Sequence, residues 1–331
     1  DGRRFPWGDE SATCARAVIM TQAGRSCGKK QRSKSHPETG RPEPVADPSS
    51  QARFRAALKL AHLGVPFAPL LDKAGPLKPL AAMLRLAPKT LPKSGNPEPV
   101  NVADRKGRVA ILSGCAQSVL DPGINAATTR LLNRLGIEVA MPKGEGCCGA
   151  LVHHMGREES ALAFARINID AWTREIDGDG LDAIIITASG CGTTIKDYGH
   201  MLQHDPAYAE KAAKVSALAK DVTEYLYALN LPAPRFRTGL SIAYHSACSM
   251  QHGQKITKAP KELLKLAGYI VKDPAEGHLC CGSAGTYNIM QPEIAAKLRD
   301  RKVKNIERTG ATLIATGNIG CMTQIGSGTN L

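Results

Sequence analysis

A cysteine pattern that occurs twice constrains the fold of this 331-residue chain more than any other feature. Each copy has a lone cysteine, an adjacent pair followed by glycine, and a final cysteine. In both copies 31 residues lie between the lone cysteine and the pair, and 42 or 39 lie between the pair and the final cysteine. The pattern uses eight of the ten cysteines, which are Cys115, Cys147, Cys148 and Cys191 in the first copy and Cys248, Cys280, Cys281 and Cys321 in the second. A duplicated set of four thiols predicts two related domains, each with a site for iron or another soft metal.

The hydrophobic pattern around the cysteines predicts strands that alternate with helices. In the first repeat the predicted strands cover 108–113, 137–141 and 183–187, and the predicted helices cover 125–135 and 157–176. In the second repeat the predicted strands cover 240–244, 269–272 and 312–316, and the predicted helices cover 261–267 and 293–308. Such alternation is typical of parallel sheets with helices on their faces. We therefore predict an α/β fold of two tandem, pseudo-symmetric parallel-sheet lobes with flanking helices.

The chain divides into four predicted segments. Residues 1–50 are rich in Gly, Pro, Ser and Arg without a regular period, so we expect a disordered segment of misread or unrelated origin. Residues 51–100 have the pattern of a short helical leader, broken by prolines and followed by a linker over 92–99. The first cysteine-rich domain is predicted to cover 101–232. The second is predicted to cover 233–331 and to be short at its C-terminal end.

Charge and hydropathy restrict the classes of function. The net charge of +13 is concentrated in residues 1–106, which hold 19 basic and 9 acidic side chains, whereas residues 107–331 hold 24 and 21. This basic segment lacks the interleaved aromatic residues and the motifs of nucleic-acid-binding proteins, so a solvated or partner-contacting role is favoured over nucleic-acid binding. No apolar run reaches the ~18 residues of a membrane span, and no export signal is recognisable. Ten cysteines without such a signal predict a reducing compartment, with the cytoplasm as the default.

The order of elements explains how distant cysteines can meet. The cysteines fall in loops that follow predicted strands, and these loops all emerge at the carboxyl edge of a parallel sheet. Helix N-termini at that edge add N–H groups and partial positive charge, which favour thiolates. We therefore predict that all eight cysteines of the duplicated pattern are metal ligands, four in each lobe.

Four kinds of cysteine site compete for this pattern. Buried cysteines without a metal do not account for a repeated adjacent pair at a constant interval. A four-cysteine zinc site is chemically reasonable, but the closely spaced CxxC knuckle is absent. A thiol–disulfide relay needs an exposed pair with a low pKa. Iron–sulfur ligation uses thiolates and tolerates long loops, so it is favoured, with zinc in one lobe as the alternative.

Other polar residues near the cysteines are interpreted as supporting groups. Any histidine near the pattern could tune or ligate a cluster, but each one individually is interpreted as a hydrogen-bonding loop residue and not as a ligand; these are His153, His154, His245, His252 and His278. Lys196, Asp197 and Tyr198 are expected either to face a partner or to cap and solvate a helix. The sequence has no GxSxG motif, P-loop or dinucleotide fingerprint. No catalytic residue is therefore predicted.

The motifs resemble a known family. The stretches that carry the resemblance are Leu112–Gln117, Gly144–Gly149, Ala188–Gly192, Leu279–Gly285 and Thr316–Ile325, with weaker similarity in the leader. Together they are similar to the cysteine-rich CCG domain, which occurs twice in heterodisulfide-reductase-like iron–sulfur subunits. Within that group they are most similar to the iron–sulfur subunits of glycolate oxidases (glycolate dehydrogenases). The resemblance covers roughly residue 51 to the C-terminus.

The resemblance implies a function in electron transfer. It implies a cluster of [4Fe–4S] or atypical type, flavin-containing partner subunits that oxidise glycolate to glyoxylate, and an acceptor such as a membrane quinone. The implied location is cytoplasmic, with peripheral association at the inner face of the plasma membrane. Related subunits of lactate or anaerobic glycerol-3-phosphate dehydrogenases, or a zinc-stabilised scaffold subunit, are the alternatives.

The sequence departs from the family pattern in two ways. The family often ends its motif in CxxC, but Ala188 and Asn318 occupy the first of those positions, so each repeat offers four thiolates and not five. The family's N-terminal ferredoxin-like part carries CxxCxxCxxxCP runs, and none occurs here. From the sequence we therefore expect a partial version of such a subunit.

Overall fold

The computed structural model describes residues 48–88, 90–92, 102, 104–234 and 238–329. Most of the predicted disordered segment and most of the predicted linker lie outside these residues. The prediction of disorder up to residue 50 was wrong at its end, because the first helix already begins at Pro48. Proline is well suited to a first helical turn, since its φ is fixed near the helical value and its missing N–H would have no helical partner.

The leader consists of three helices: α1 (Pro48–Gly64), α2 (Ala68–Lys73) and α3 (Lys78–Arg85). Short 3₁₀ turns at Val65–Phe67 and Gly75–Leu77 separate them. Prolines stand at the start of these short elements, as the predicted breaks require. A small core forms where α2 and α3 pack together, and its fully buried members are Ala68, Ala81 and Leu84.

The first lobe contains a four-stranded parallel sheet with the order β2-β1-β3-β4. Its strands are β1 (Gly107–Ile111), β2 (Ile137–Ala140), β3 (Ala183–Ile186) and β4 (Ala219–Asp221). The first three match the predicted strands to within two residues. The fourth was not predicted, because three residues with a central lysine carry no apolar run.

The second lobe contains a three-stranded parallel sheet with the order β6-β5-β7. Its strands are β5 (Ser241–His245), β6 (Ile270–Lys272) and β7 (Leu313–Thr316). This order repeats β2-β1-β3 of the first lobe, strand for strand. The predicted α/β fold with two pseudo-symmetric parallel-sheet lobes is therefore confirmed.

Helices connect the strands and flank both sheets. Those of the first lobe are α4 (Gln117–Leu120), α5 (Gly123–Arg134), α6 (Ala150–His154), α7 (Glu158–Asp177), α8 (Ser189–Lys196), α9 (Tyr198–Met201), α10 (Ala209–Leu218) and α11 (Val222–Ala228). Those of the second are a π-helical turn (Ser249–Gly253), α12 (Ala259–Leu266), α13 (Tyr287–Met290), α14 (Pro292–Glu307) and α15 (Ile319–Gly326). No described helix is both long enough and apolar enough to cross a bilayer.

The core of the first lobe lies on both faces of its sheet. All four residues of β3 are buried, and alternate members belong to different clusters, Ile184 and Ile186 to one and Ala183 and Ile185 to the other. A continuous apolar strand is what a parallel sheet covered on both faces requires. Trp172 of α7 fills the cluster that also contains Cys148. The cysteine loop is thus anchored directly to the main core.

Candidate metal centres

In the first lobe the four cysteines form a row of neighbouring thiols. Cys115 interacts with Cys147, Cys147 with Cys148, and Cys148 with Cys191. The hydrogen bond with Cys147 and then burial raise the pKa of Cys115. For Cys147, the contact with Cys115 lowers the pKa, but the contact with Cys148 and burial outweigh it, so the pKa rises to about 11. Cys115, Cys147 and Cys148 therefore resist losing their protons, and a cation that binds their sulfur atoms would reverse this preference.

In the second lobe the cysteines form a corresponding row. Cys248 interacts with Cys280, Cys280 with Cys281, and Cys281 donates to Cys321, with 3.1 Å between the sulfur atoms. Hydrogen bonds from Cys248 and Cys281 lower the pKa of Cys280, whereas those same contacts raise the pKa of the two donors. Contact with Cys281 also lowers the pKa of Cys321, to about 6, so two thiols in this row, Cys280 and Cys321, are favoured to ionise by their neighbours. The structure brings all four predicted residues together in each lobe.

The glycine after each cysteine pair is required by the close approach of a helix. Gly149 has φ +79° and Gly282 has φ +92°, a conformation that disfavours side chains. A Cβ atom at Gly149 would lie 3.1 Å from the carbonyl oxygen of Ala161, and one at Gly282 would lie 2.5 Å from that of Ala295. The pair is thus pressed against α7 in the first lobe and α14 in the second. The Cys-Cys-Gly motif therefore provides close helix packing in addition to two thiol groups.

Backbone N–H groups point at the sulfur atoms in both lobes. Gly149 donates to Cys147 Sγ over 3.4 Å, and Gly282 donates to Cys280 Sγ over 3.3 Å. The last cysteine of each set lies in the first turn of a helix, α8 for Cys191 and α15 for Cys321. These N–H groups and the helix dipoles stabilise negative charge on sulfur, as metal-bound thiolates require.

A buried polar side chain supports the pair in the first lobe. Asn168 of α7 has 0% of its surface exposed. Its Oδ1 accepts from the N–H of Gly146 over 2.8 Å, and its Nδ2 donates to the carbonyl of Cys147 over 2.9 Å. The hydroxyl of Tyr198 donates to the carbonyl of Cys148 over 2.9 Å. The cysteine loop is therefore held by hydrogen bonds from two different helices.

A lysine takes this position in the second lobe. Lys302 of α14 is 1% exposed and donates from Nζ to the carbonyl oxygen of Glu276 over 2.8 Å. Burial lowers the pKa of Lys302, and the nearby sulfur of Cys281 acts against that change. When protonated, Lys302 places a positive charge next to the thiols and offsets negative charge on their sulfur atoms. The residue at this position in the first lobe, Asn168, is neutral and provides no such charge.

Glu145 joins two of the cysteine loops in the first lobe. Its Oε1 accepts from the backbone N–H of Ser113 over 3.0 Å, and Ser113 lies two residues before Cys115. Burial raises the pKa of Glu145 to about 7, and the hydrogen bonds from Ser113 act against this rise. The Cys115 loop is thus fastened to the Cys147 loop by a carboxyl group.

A set of hydrogen bonds, here called the seam, joins the two sites. Ser189 of α8 shares a hydrogen bond of 2.7 Å between its Oγ and that of Ser249, and its N–H donates to the carbonyl of Gly317 over 2.9 Å. The side-chain amide of Asn318 donates to Ser189 Oγ over 3.2 Å, and that of Gln254 donates to Ser189 O over 2.9 Å. Ser189 lies two residues before Cys191, and Ser249 directly follows Cys248. The seam therefore connects the loops that carry cysteines from both lobes.

Comparison with known proteins identifies the repeated unit. The family model for the cysteine-rich CCG domain matches residues 109–196 and 242–326, which contain all eight cysteines of the pattern. These two matches cover slightly more than half of the chain. The chain belongs to the CCG cysteine-rich domain family. The predicted resemblance is confirmed, and each CCG match coincides with one of the two parallel sheets.

Three relatives illustrate this CCG chain's similarity. The glycolate oxidase iron-sulfur subunit of Escherichia coli is 46% identical over 222 residues, which are 67% of this chain and 54% of that protein. The probable glycolate oxidase iron-sulfur subunit of Bacillus subtilis is 32% identical over 253 residues, 75% of this chain and 56% of that protein. Lactate utilization protein A of Bacillus licheniformis is 26% identical over 221 residues, 66% of this chain and 90% of that protein. The chain therefore spans just over half the length of the two glycolate oxidase subunits.

The residues expected to support the CCG sites have mixed outcomes. The interpretation of Tyr198 as a residue facing a partner or solvent was wrong, because its side chain is 0% exposed and holds the cysteine loop. Lys196 lies in the last turn of α8 and forms a half-buried ion pair of 2.6 Å with Glu224, which lies in the first turn of α11. Asn318, which stands where the family often has a cysteine, caps α15 by accepting from the N–H groups of Gly320 and Cys321.

Sequence reasoning underestimated one histidine. A ring nitrogen of His245 and the sulfurs of Cys281 and Cys321 all lie within 4.8 Å of one another. His245 ends β5, directly before the loop that carries Cys248, whereas His252 is exposed. His245 follows the end of a predicted strand, at the edge where the cysteine loops converge. This position was the signal in the sequence that could have drawn attention to His245.

Proposed function

We propose that this chain is an iron–sulfur electron-transfer subunit of a flavin-dependent glycolate dehydrogenase complex. The observation that carries the proposal is the convergence of two rows of four thiols, one in each lobe. Under the proposal all eight cysteines of the pattern are metal ligands, and the clusters are of [4Fe–4S] type or a variant of it. When bound, such a cluster accepts and releases electrons one at a time.

The spacing of the sulfurs favours a cluster over a lone zinc ion. Zinc–sulfur bonds of about 2.3 Å place the ligands of one ion within about 4.6 Å of each other. Among the described residues, His245, Cys281 and Cys321 are a group whose ligand atoms all lie within 4.8 Å of one another. The four sulfur atoms of either row do not all lie within that distance of one another. Rows of thiols that contact only their neighbours suit a centre with several metal atoms. Zinc in one lobe remains the competing assignment.

The seam supports a relay between the two sites. Ser189 lies two residues before Cys191, and Ser249 lies one residue after Cys248. A hydrogen bond of 2.7 Å between the two serine hydroxyls connects the two cysteine loops. Because consecutive Cα atoms are about 3.8 Å apart, this path places the two cysteines within roughly 20 Å of each other. Electrons delivered to one lobe would therefore have a short route through protein to the other.

Substrate chemistry is assigned to partner subunits. The residues near the thiols act as packing, capping and hydrogen-bonding groups, so flavin-containing subunits would oxidise the substrate and this chain would pass the electrons on. Glycolate is favoured because the Escherichia coli glycolate oxidase subunit is 46% identical, against 26% for lactate utilization protein A. Lactate is the second candidate on the basis of that weaker similarity. Anaerobic glycerol-3-phosphate dehydrogenase is the third.

The proposed location follows from the redox chemistry. Thiols that must stay reduced until metal binds belong in a reducing compartment, which supports the cytoplasm. A quinone acceptor would place the complex peripherally at the inner face of the plasma membrane. The proposed function involves no nucleic-acid partner.

Metal and substrate measurements on one preparation test the proposal. The full chain, carrying an affinity tag, is isolated anaerobically from its own cells, and its iron, sulfide, zinc and flavin contents are measured. We expect a brown preparation with iron and sulfide, co-purified flavoprotein, and dye reduction with glycolate faster than with lactate or glycerol 3-phosphate. A colourless preparation that contains zinc without iron would contradict electron transfer. Faster dye reduction with lactate would replace the assigned substrate and leave the electron-transfer role intact.

A further inference from the structure

One buried histidine beside the second row of thiols has a ring nitrogen that forms no hydrogen bond with the described residues. The side chain of His245 is 2% exposed, and its Nε2 has no hydrogen-bond partner among the described residues. Buried polar atoms in folded proteins almost always have a partner, and an unpaired one destabilises the fold. An imidazole nitrogen in this situation is a candidate ligand for a group that the protein binds.

The neighbours of this nitrogen are sulfur atoms. A ring nitrogen of His245 lies within 4.8 Å of the sulfurs of both Cys281 and Cys321, and those sulfurs are 3.1 Å apart. Imidazole and thiolate together form a mixed donor set that suits iron and zinc. The side chain also comes from the end of a rigid strand, so little conformational entropy is lost when a metal binds.

We propose that His245 supplies a nitrogen ligand to the metal centre of the second lobe, as the fifth donor beside its four cysteines. This inference rests on the proposed function, because it takes the row of four thiols to be a metal site. It differs from that function in assigning a residue, and a kind of atom, outside the duplicated cysteine pattern.

The first lobe has no histidine at the corresponding position. Leu112 stands 133 residues before His245, the same interval that separates Cys115 from Cys248. Its side chain is 4% exposed and belongs to the core cluster around Cys148. On this proposal the second centre has mixed sulfur and nitrogen ligation, and the first has no imidazole at the corresponding position.

The place where the family often has a further cysteine does not supply a fifth donor in the second lobe. The Oδ1 atom of Asn318 already accepts from the N–H groups of Gly320 and Cys321, over 2.9 and 3.2 Å. Its Nδ2 donates to Ser189 in the seam. Asn318 is thus fully engaged, whereas His245 at the end of β5 has a ring nitrogen that is still available.

Nitrogen hyperfine coupling tests the assignment directly. The full chain is reconstituted anaerobically with iron and sulfide, reduced in steps, and examined by pulsed electron paramagnetic resonance, in wild type and in Cys148→Ser, which removes the first centre. We expect ¹⁴N coupling of the strength of a bound imidazole, replaced by ¹⁵N coupling after labelling with [¹⁵N]histidine. The coupling should be lost in His245→Leu, which copies the first lobe, and retained in His252→Gln, an exposed histidine four residues after Cys248.

Metal retention provides a second readout. Loss of a group that ligates or orients a metal typically reduces affinity by 10–100-fold. We expect iron of the second centre in His245→Leu to transfer to a chelator at least about tenfold faster than in wild type. The first centre, measured in Cys281→Ser, should be unaffected by the same substitution.

The outcomes separate this inference from the proposed function. Iron–sulfur incorporation with no imidazole coupling, and with unchanged chelation in His245→Leu, overturns the histidine ligand and leaves the electron-transfer function standing. Failure of both sites to bind iron overturns the proposed function. In that case cobalt(II) absorbance tests independently whether His245 is a metal ligand. A shift of the visible cobalt(II) bands in His245→Leu would support nitrogen ligation, and unchanged bands would overturn it.

Discussion

The two lobes share the geometry of their cysteine pairs but differ in what surrounds them. In both, the glycine after the pair has positive φ and donates to the first sulfur of the pair, over 3.4 Å at Gly149 and 3.3 Å at Gly282. The positions behind the thiols differ, with Leu112 and Asn168 in the first lobe and His245 and Lys302 in the second. The conformation of the Cys-Cys-Gly loop is therefore shared, whereas the charge and polarity of the side chains around it differ between the two copies.

The sheets differ in the same way. All residues of β3 are buried, but β7, its counterpart, is exposed at Leu313 and only partly buried elsewhere. Strand β6 is also more exposed than β2. The first lobe has an added strand, β4, together with helices that have no counterpart among the described residues of the second. Two lobes with equivalent sites should therefore differ in stability.

The largest effect is expected from removing a sulfur from each pair. Cys148→Ser should abolish metal binding in the first lobe and Cys281→Ser in the second, because a serine hydroxyl is a poor ligand for soft metals. Each variant should lose about half of the iron, and the double variant should lose almost all of it. Elemental analysis after anaerobic reconstitution checks this. If either single variant lost all of the iron, the two sites would not be independent.

The glycines should tolerate alanine unequally. Gly282→Ala should destabilise its lobe by about 3 kcal/mol and Gly149→Ala by about 1.5 kcal/mol, since both positions have positive φ but the closer contact is at Gly282. Hydrogen exchange measured by mass spectrometry reports the opening of each lobe separately. Gly146→Ala is the matched control, because an added methyl group there would have no neighbouring atom within 4 Å. Equal losses at Gly149 and Gly282 would contradict the steric explanation.

A pair of equivalent isoleucines tests the difference between the sheets. Ile184 of β3 pairs with Ala110, and Ile314 of β7 pairs with Ala243 in the matching register. Ile184 is fully buried and Ile314 only partly, so Ile184→Ala should cost about 3 kcal/mol and Ile314→Ala about 1 kcal/mol. Urea unfolding followed by hydrogen exchange gives both values. The reverse order would show that the second sheet is covered by something else in solution.

The smallest effect concerns the added strand of the first lobe. Burial raises the pKa of Asp221, and hydrogen bonds from Thr223 act against this rise. Because the pKa is higher in the folded protein than in the unfolded chain, this contribution to stability is present at pH values below the unfolded pKa near 3.8 and is lost as the pH rises through the folded value. Asp221→Asn, which retains a capping side chain, should flatten this dependence in the mildly acidic range. If the urea midpoints of wild type and Asp221→Asn decreased equally as the pH rose, this explanation of the pH dependence would be contradicted.

Most of the fold could be predicted from local patterns. Apolar runs such as Ala183–Ile186 are long enough to identify strands, and Gly136 and Gly268 mark helix ends where positive φ is needed. Strand β4 was missed because it is short and lacks an apolar run, so only its pairing with β3 defines it. Helix boundaries differed from prediction by a few residues, since capping depends on contacts that are distant in sequence.

The site could be predicted less completely than the fold. The eight cysteines were identified because their spacing repeats, and the parallel-sheet rule explained why they converge. The observed contacts of Tyr198 and Asn318 and the proposed role of His245 were not identified, because each depends on a contact across a lobe or between lobes. Tyr198, for example, reaches a carbonyl 50 residues away in the chain. Residues without a repeated pattern acquire their roles only in the folded structure.

The seam has a kinetic consequence. Ser189 holds Ser249 and Asn318 through the same hydroxyl group, so the two cysteine loops on either side cannot separate without breaking hydrogen bonds in both lobes. On the proposed function, the spacing between the two centres is built in during folding and does not depend on diffusion or on a hinge. Passage of an electron between the lobes would then be insensitive to solvent viscosity, and delivery by the partner would set the pace of turnover.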